Sequence, residues 1–76
     1  MKIELDQSID AAYISFDVAM DNQSGWVAKT VTVDPKETYG MINLDFDKDG
    51  ILRGIEVLAA SKQLPKSLLE KSELIG

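Results

Sequence analysis

The segment DFDKDGILRGIE, Asp45 to Glu56, places carboxylates at its first, third and fifth positions, Gly at the sixth and Glu at the twelfth. That is the donor spacing of a calcium loop, in which alternate oxygen side chains converge on a hard cation. Asp45, Asp47 and Asp49 are therefore the metal-ligand candidates of the chain. No His and no Cys occurs anywhere, so a zinc site would have to be built from carboxylates alone.

Any catalysis would fall to carboxylates, Lys, Tyr or Ser. Glu56 is the leading acid–base candidate because Ile55, Val57 and Leu58 surround it in the chain, and a desolvated carboxyl is one whose pKa rises toward neutrality. Its bland alternative is a sheet-edge carboxylate paired with a Lys or a backbone amide. Asp6, Asp10 and Tyr13 form a second polar group, which local loop closure by Asx-type hydrogen bonds also explains. Ser61 and Lys62 are adjacent. A working Ser–Lys pair needs helical spacing that brings the two side chains face to face, so chain reversal with Ser61 on nearby backbone is the better reading. Trp26 and Tyr13 have the flat surfaces that stack ligands, yet in a small domain such residues more often fill a core or an interface.

The elements that must position these groups are mainly strands, because alternation of apolar and polar residues dominates. Strands are predicted at about 2–5, 12–18, 26–33, 41–46 and 51–58. Turn formers collect at DQSIDA, MDNQSG and DPKETYG between them. The tail, with Pro65 followed by SLLEKSEL, predicts one short helix at about 65–73, docked on the sheet through Leu64 and Leu68. The expected fold is α+β: an antiparallel meander of four to five strands with one C-terminal helix, in one domain.

This architecture decides the fate of the calcium spacing. A calcium loop of that pattern needs a helix on each side, the second carrying the twelfth-position Glu inward. Here YGMINLDF alternates, and ILRGIEVL is β-branched and carries Gly54. Lys48-Asp49-Gly50 fits a three-residue hairpin loop ending at a Gly of positive φ. Asp47 and Ile51 then flank the loop, Asp45 faces Arg53, and Glu56 lies about 17 Å along the strand from Asp47. No single ion is held by both ends.

The 76 residues carry a net charge of −5. A chain this short buries only about 60–65% of its unfolded surface, so self-association is the expected supplement where disulfides are excluded. The acidic balance counts against nucleic acid, which needs a basic footprint. No apolar run reaches membrane-spanning length, and MKIEL lacks the layout of a signal peptide, which predicts a cytoplasmic protein.

Three segments carry a resemblance. DQSIDAAYI is similar to D-x-x-x-D-A-x-Y-I through Asp6, Asp10, Ala11, Tyr13 and Ile14. DFDKDG is similar to a D-x-D-x-D-G turn. GIEVLAASKQLP is similar to G-I-E-[IV]-L-x-A-S-K-x-L-P through Gly54, Ile55, Glu56, Val57, Leu58, Ala60, Ser61, Lys62, Leu64 and Pro65. Together they resemble short bacterial proteins of domain-of-unknown-function family 2283. That resemblance implies a compact antiparallel sheet with a C-terminal helix and no established activity. For some members it implies companionship with small toxin-like proteins.

In the hairpin register, Ile42, Leu44, Phe46, Leu52 and Leu58 fall on one face. Met41, Ile55 and Val57 fall on the other, beside Asn43, Asp45 and Arg53. One helix covers one face, and a second copy or a partner protein is the natural cover for the other. The leading expectation is a non-enzymatic protein-interaction module without a cofactor, either a homo-oligomer or the acidic companion of a basic protein. The alternative is a small ligand binder or carboxylate enzyme centred on Glu56 and the Asp6, Asp10 and Tyr13 group, and the third is the calcium loop at 45–56.

Overall fold

The computed structural model describes residues 1–16 and 25–75. Among them, six strands form one sheet: β1 (Lys2–Asp6), β2 (Ala11–Ser15), β3 (Lys29–Thr32), β4 (Ile42–Phe46), β5 (Leu52–Leu58) and β6 (Glu73–Leu74). Two short helices, α1 (Ala60–Gln63) and α2 (Lys66–Glu70), precede β6. The sheet order is β3-β4-β5-β2-β1-β6. The β1–β2 and β4–β5 hairpins are each antiparallel, and β2 joins them by pairing antiparallel with β5.

Several expectations are corrected. Six strands stand where four to five were expected, and their order in the sheet is not that of a simple meander. The sheet is mixed, because β6 runs parallel to β1, with Glu4 beside Glu73 and Leu5 beside Leu74. The single helix expected at 65–73 is two: Leu64 is extended, and Pro65 has φ −58 and ψ 141 before α2 begins. A residue ahead of Pro is biased to extended backbone, which ends α1 and restarts the helix after Pro65. Residue 73, expected in the helix, belongs to β6. Leu69, rather than Leu68, joins Leu64 against the core.

The expected third strand shortens to Lys29–Thr32 and the second to Ala11–Ser15, with residues 17 and 18 outside the described part. The hairpin loop is as expected: Asp47 N–H donates to the Ile51 carbonyl at 2.9 Å, and Gly50 has φ +80.

The register beyond that loop differs, and the difference sorts the faces. Phe46 pairs with Leu52, yet Asp45 pairs with Gly54, so Arg53 is an extra residue in a β-bulge. Asp45 therefore does not face Arg53. One inserted residue moves every later side chain of β5 to the opposite face. Ile55 and Val57 consequently join Ile42, Leu44 and Phe46, while Glu56 and Leu58 fall in with Asn43 and Asp45.

Carried across the sheet, the register gives a largely apolar face of Val31, Ile42, Leu44, Phe46, Leu52, Ile55, Val57, Ala12, Ile14, Ile3 and Leu5. The other face is largely polar: it holds Thr30, Thr32, Asn43, Asp45, Glu56, Tyr13, Ser15, Glu4, Asp6 and Lys2, with Leu58 and Ala11 as apolar members. Both helices pack on the apolar side, where Leu64 and Leu69 close over Leu5, Ala12 and the fully buried Ala60. The expectation of two partly apolar faces, each needing cover, is corrected with it.

Candidate functional site

The polar face is built around Gly54 and Tyr13. A Cβ at residue 54 would collide with the Tyr13 hydroxyl, so the phenol ring lies directly over the glycine backbone. A glycine in a strand interior often marks such a close approach, and an aromatic ring lying across it restores the packing that the missing side chain forfeits. From that position Tyr13 Oη donates to Asp45 Oδ2 at 2.7 Å, and Thr30 Oγ1 donates to Asp45 Oδ1 at 2.6 Å.

A parallel chain of bonds runs one step along the strands. Asn43 Nδ2 donates to Glu56 Oε1 at 2.8 Å, and Thr32 Oγ1 donates to Asn43 Oδ1 at 2.7 Å. Tyr13 and Glu56 are direct cross-strand partners. Toward β1, Lys2 Nζ lies 3.9 Å from Glu4 and 3.9 Å from Glu73. Four strands thus share one polar lattice, in which each hydroxyl or amide named serves a carboxylate or another amide.

The residues singled out from the sequence separate in space. Tyr13 and Glu56 meet on this face, and together with Glu4, Asp6, Ile9 and Ile75 they line a hollow of about 170 Å³. Asp6 also closes its own loop, accepting the Ser8 N–H at 3.0 Å and the Ser8 hydroxyl at 2.5 Å.

Asp10 leaves the group altogether. It adopts φ 52 and turns to α1, where its carboxylate accepts the Ser61 N–H at 3.0 Å and the Ser61 hydroxyl at 2.7 Å. Asp10 and Ser61 lie in a groove of about 580 Å³ with Lys66, Leu69 and Glu70. The Ser61 hydroxyl proton is directed at a carboxylate, whose weak basicity leaves the oxygen an unactivated nucleophile. Lys62 is turned instead to Tyr39, its Nζ 5.0 Å from the ring centroid.

The three turn aspartates also diverge. Asp45 serves Tyr13 and Thr30. Asp47 is buried and uses both oxygens: Oδ1 accepts the amides of Asp49 and Ile51 at 2.8 and 3.1 Å, and Oδ2 accepts Arg53 Nε at 2.9 Å. The Arg53 hydrogen bond, followed by the Ile51 amide, holds the Asp47 carboxyl below the ordinary aspartate range. Among the described residues no three carboxylates are grouped so as to hold one metal ion. Strands, not helices, flank residues 47–51, and the helix–loop–helix reading is set aside.

Sequence reasoning missed Thr30, Thr32 and Asn43 as members of the lattice, and Ser61 as the partner of Asp10. The signal for the first three was present: TVT and NLD both carry polar residues at alternate positions. Their meeting with Tyr13 and Glu56 depends on the bulge at Arg53, which composition does not announce.

Among the described residues no helix is long and apolar enough to cross a membrane. No curated protein and no solved structure matches the chain. A family model does match, over residues 2–61, from the first strand to the start of α1, and so takes in the polar lattice and the Asp10–Ser61 contact together. The chain belongs to the family described as Protein of unknown function (DUF2283).

Proposed function

We propose that the chain is a non-enzymatic protein-interaction module, acting in the cytoplasm, that receives a basic protein partner on the polar face of its sheet. The supporting observation is charge arranged by register. Glu4, Asp6, Asp45, Glu56 and Glu73 share that face with Lys2, while Arg53 is engaged by Asp47. A surface carrying an excess of one sign steers and selects partners of the other sign. A small toxin-like basic protein, the kind of companion that the family resemblance suggests, has the required charge.

The hollow beside Tyr13 and Glu56 suits one long basic side chain. At about 170 Å³ it is smaller than the pockets that enclose drug-sized ligands, which run from roughly 300 to 1,000 Å³. A Lys or Arg would lay its methylenes against Ile9 and Ile75 and bring its charged head among Glu4, Asp6 and Glu56. The carboxylate-enzyme reading ranks below this one. Asp45 and Glu56 already accept two hydroxyls and an amide, and acid–base work requires two carboxyl groups held in contrasted environments.

Calorimetric titration with a lysine-rich peptide and a glutamate-rich peptide tests the proposal. Binding of the basic peptide alone is expected, weakening as salt is raised and weakening further in the double variant Glu4→Gln, Glu56→Gln. Equal binding of both peptides, or of the basic peptide by variant and parent, would overturn it.

A further inference from the structure

We propose that β3 is the interface of a homodimer, in which two copies pair their β3 strands antiparallel about a two-fold axis at Val31 and join their sheets into one. This goes beyond the basic-partner reading and does not rest on it. The first ground is the open edge. Among the described residues β3 ends the sheet order, and its four residues are all exposed. Val33 N–H donates to the Ile42 carbonyl at 2.9 Å, so the odd-numbered residues of this segment turn their amides and carbonyls toward β4. By the alternation of an antiparallel ladder, Thr30 and Thr32 turn theirs outward.

The second ground is self-complementarity. A pairing centred on Val31 sets Thr30 against Thr32 of the other copy twice over, and so forms four backbone hydrogen bonds. The same register keeps side chains of like kind together. Val31 meets its own copy on the apolar face and the threonines meet on the polar face, where they already serve Asp45 and Asn43. A slip by one residue would place Val31 opposite a threonine and mix the two faces. The centred register also holds the two Lys29 side chains at opposite ends of the pairing.

The third ground is what the monomer leaves open. Neither Pro nor a register shift interrupts residues 30–32; the one irregularity lies at the strand's start, where Ala28 N–H donates to the carbonyl of Phe46, the partner of Lys29. The opposite edge is different: β6 is only two residues long. On the apolar side, Val31 and Phe46 line an open hollow of about 390 Å³ at the β3 edge. The buried apolar residues of the described chain are few, namely Leu5, Ala12, Ile14, Val57 and Ala60. Oligomerisation is one of the ways in which domains of this size supplement so small a core.

The test combines light scattering behind gel filtration, over a wide concentration range, with a cross-link that the cysteine-free chain makes clean. The parent protein is expected to reach twice the monomer mass. Val31→Cys is expected to form a disulfide dimer, since directly opposed residues without mutual hydrogen bonds lie ~4.5 Å apart at Cα, and Leu74→Cys at the other edge is not. Thr32→Pro removes an amide that the ladder turns away from β4, and the loss of two intermolecular bonds is expected to weaken association by at least about tenfold. Val31→Lys, which opposes two charges at the axis, provides the same readout if the proline variant fails to fold. Glu4→Gln with Glu56→Gln should leave the dimer intact. A parent that stays monomeric throughout would overturn the proposal. So would a dimer that persists in both folded β3 variants, or a Val31→Cys protein that does not cross-link.

Discussion

Asp10 and Ser61 stand 51 positions apart and form a single capping unit: one carboxylate accepts both the N–H and the hydroxyl of Ser61. The backbone reinforces the contact, since Ala60 N–H donates to the Asp10 carbonyl at 2.9 Å. The β1–β2 turn thereby fixes where the chain leaves β5 and enters α1. Left-handed backbone at both Asp10 and Ala59 is the geometric condition for this junction.

Removal of the cap should loosen the helical layer without touching the polar lattice. Asp10→Ala is expected to cost about 1 kcal/mol, the usual worth of a helix-capping side chain, and to add a penalty for alanine at positive φ. Ser61→Ala should cost less, because its N–H still reaches Asp10. Urea unfolding of the two variants, with an unchanged slope, checks the order.

Ala59 offers the converse. Its φ of 51 suits glycine, so Ala59→Gly should relieve backbone strain of about 1 kcal/mol, offset in part by the greater freedom of the unfolded chain. The expected outcome is a small rise in melting temperature. A fall would mean that the Ala59 methyl contributes more by packing than its backbone costs.

Gly54 should tolerate no side chain while Tyr13 is present. The tyrosine ring is rigid and tethered to Asp45, so Gly54→Ala is expected to destabilise by about 1–3 kcal/mol, the ordinary cost of overpacking. In a Tyr13→Ala background the same change should be nearly neutral. A double-mutant cycle reads the coupling directly, and additive effects would contradict the packing of ring on glycine.

The Asp47–Arg53 pair sets a pH dependence of definite sign. Because the folded carboxyl is held below its ordinary pKa, its contribution is complete above the unfolded value. It is lost as pH falls through the lowered folded one. Arg53→Gln should therefore shift the acid-unfolding midpoint to higher pH, with little change in the pH profile above neutrality. Circular dichroism during acid titration measures it.

Calcium should leave the fold unchanged. Asp47 spends both oxygens on the turn and on Arg53, and Glu56 lies far along β5 on the Asn43 amide. Addition of millimolar calcium is expected to produce no gain of helical ellipticity. A gain would show that residues 45–56 can rearrange into a loop between helices.

Local chemistry made the hairpin at residues 47–51 legible in advance. Asp, Gly and alternating apolar residues each prefer the backbone that they adopt there, and no distant contact is needed to decide it. The same holds for the strand character of MINLDF and ILRGIEVL against the calcium spacing, for the acidic charge and for the absence of His and Cys. The two-stage helix was half legible: Pro65 marked a first turn, but its effect on Leu64 was overlooked.

What remained hidden was whatever depends on pairing. The extra residue at Arg53 costs little locally, and its consequence appears only against β4, where it turns Ile55 and Val57 inward and brings Glu56 to Asn43. Asp10 could have closed its own loop as Asp6 does; only the approach of Ser61, distant in sequence but just past the end of neighbouring β5, gave its carboxylate two better donors. Residue types and local backbone preference thus determined the strands, the turn and the charge. Tertiary structure alone decided register, facing and partnership, because those follow from contacts between segments that the chain places far apart.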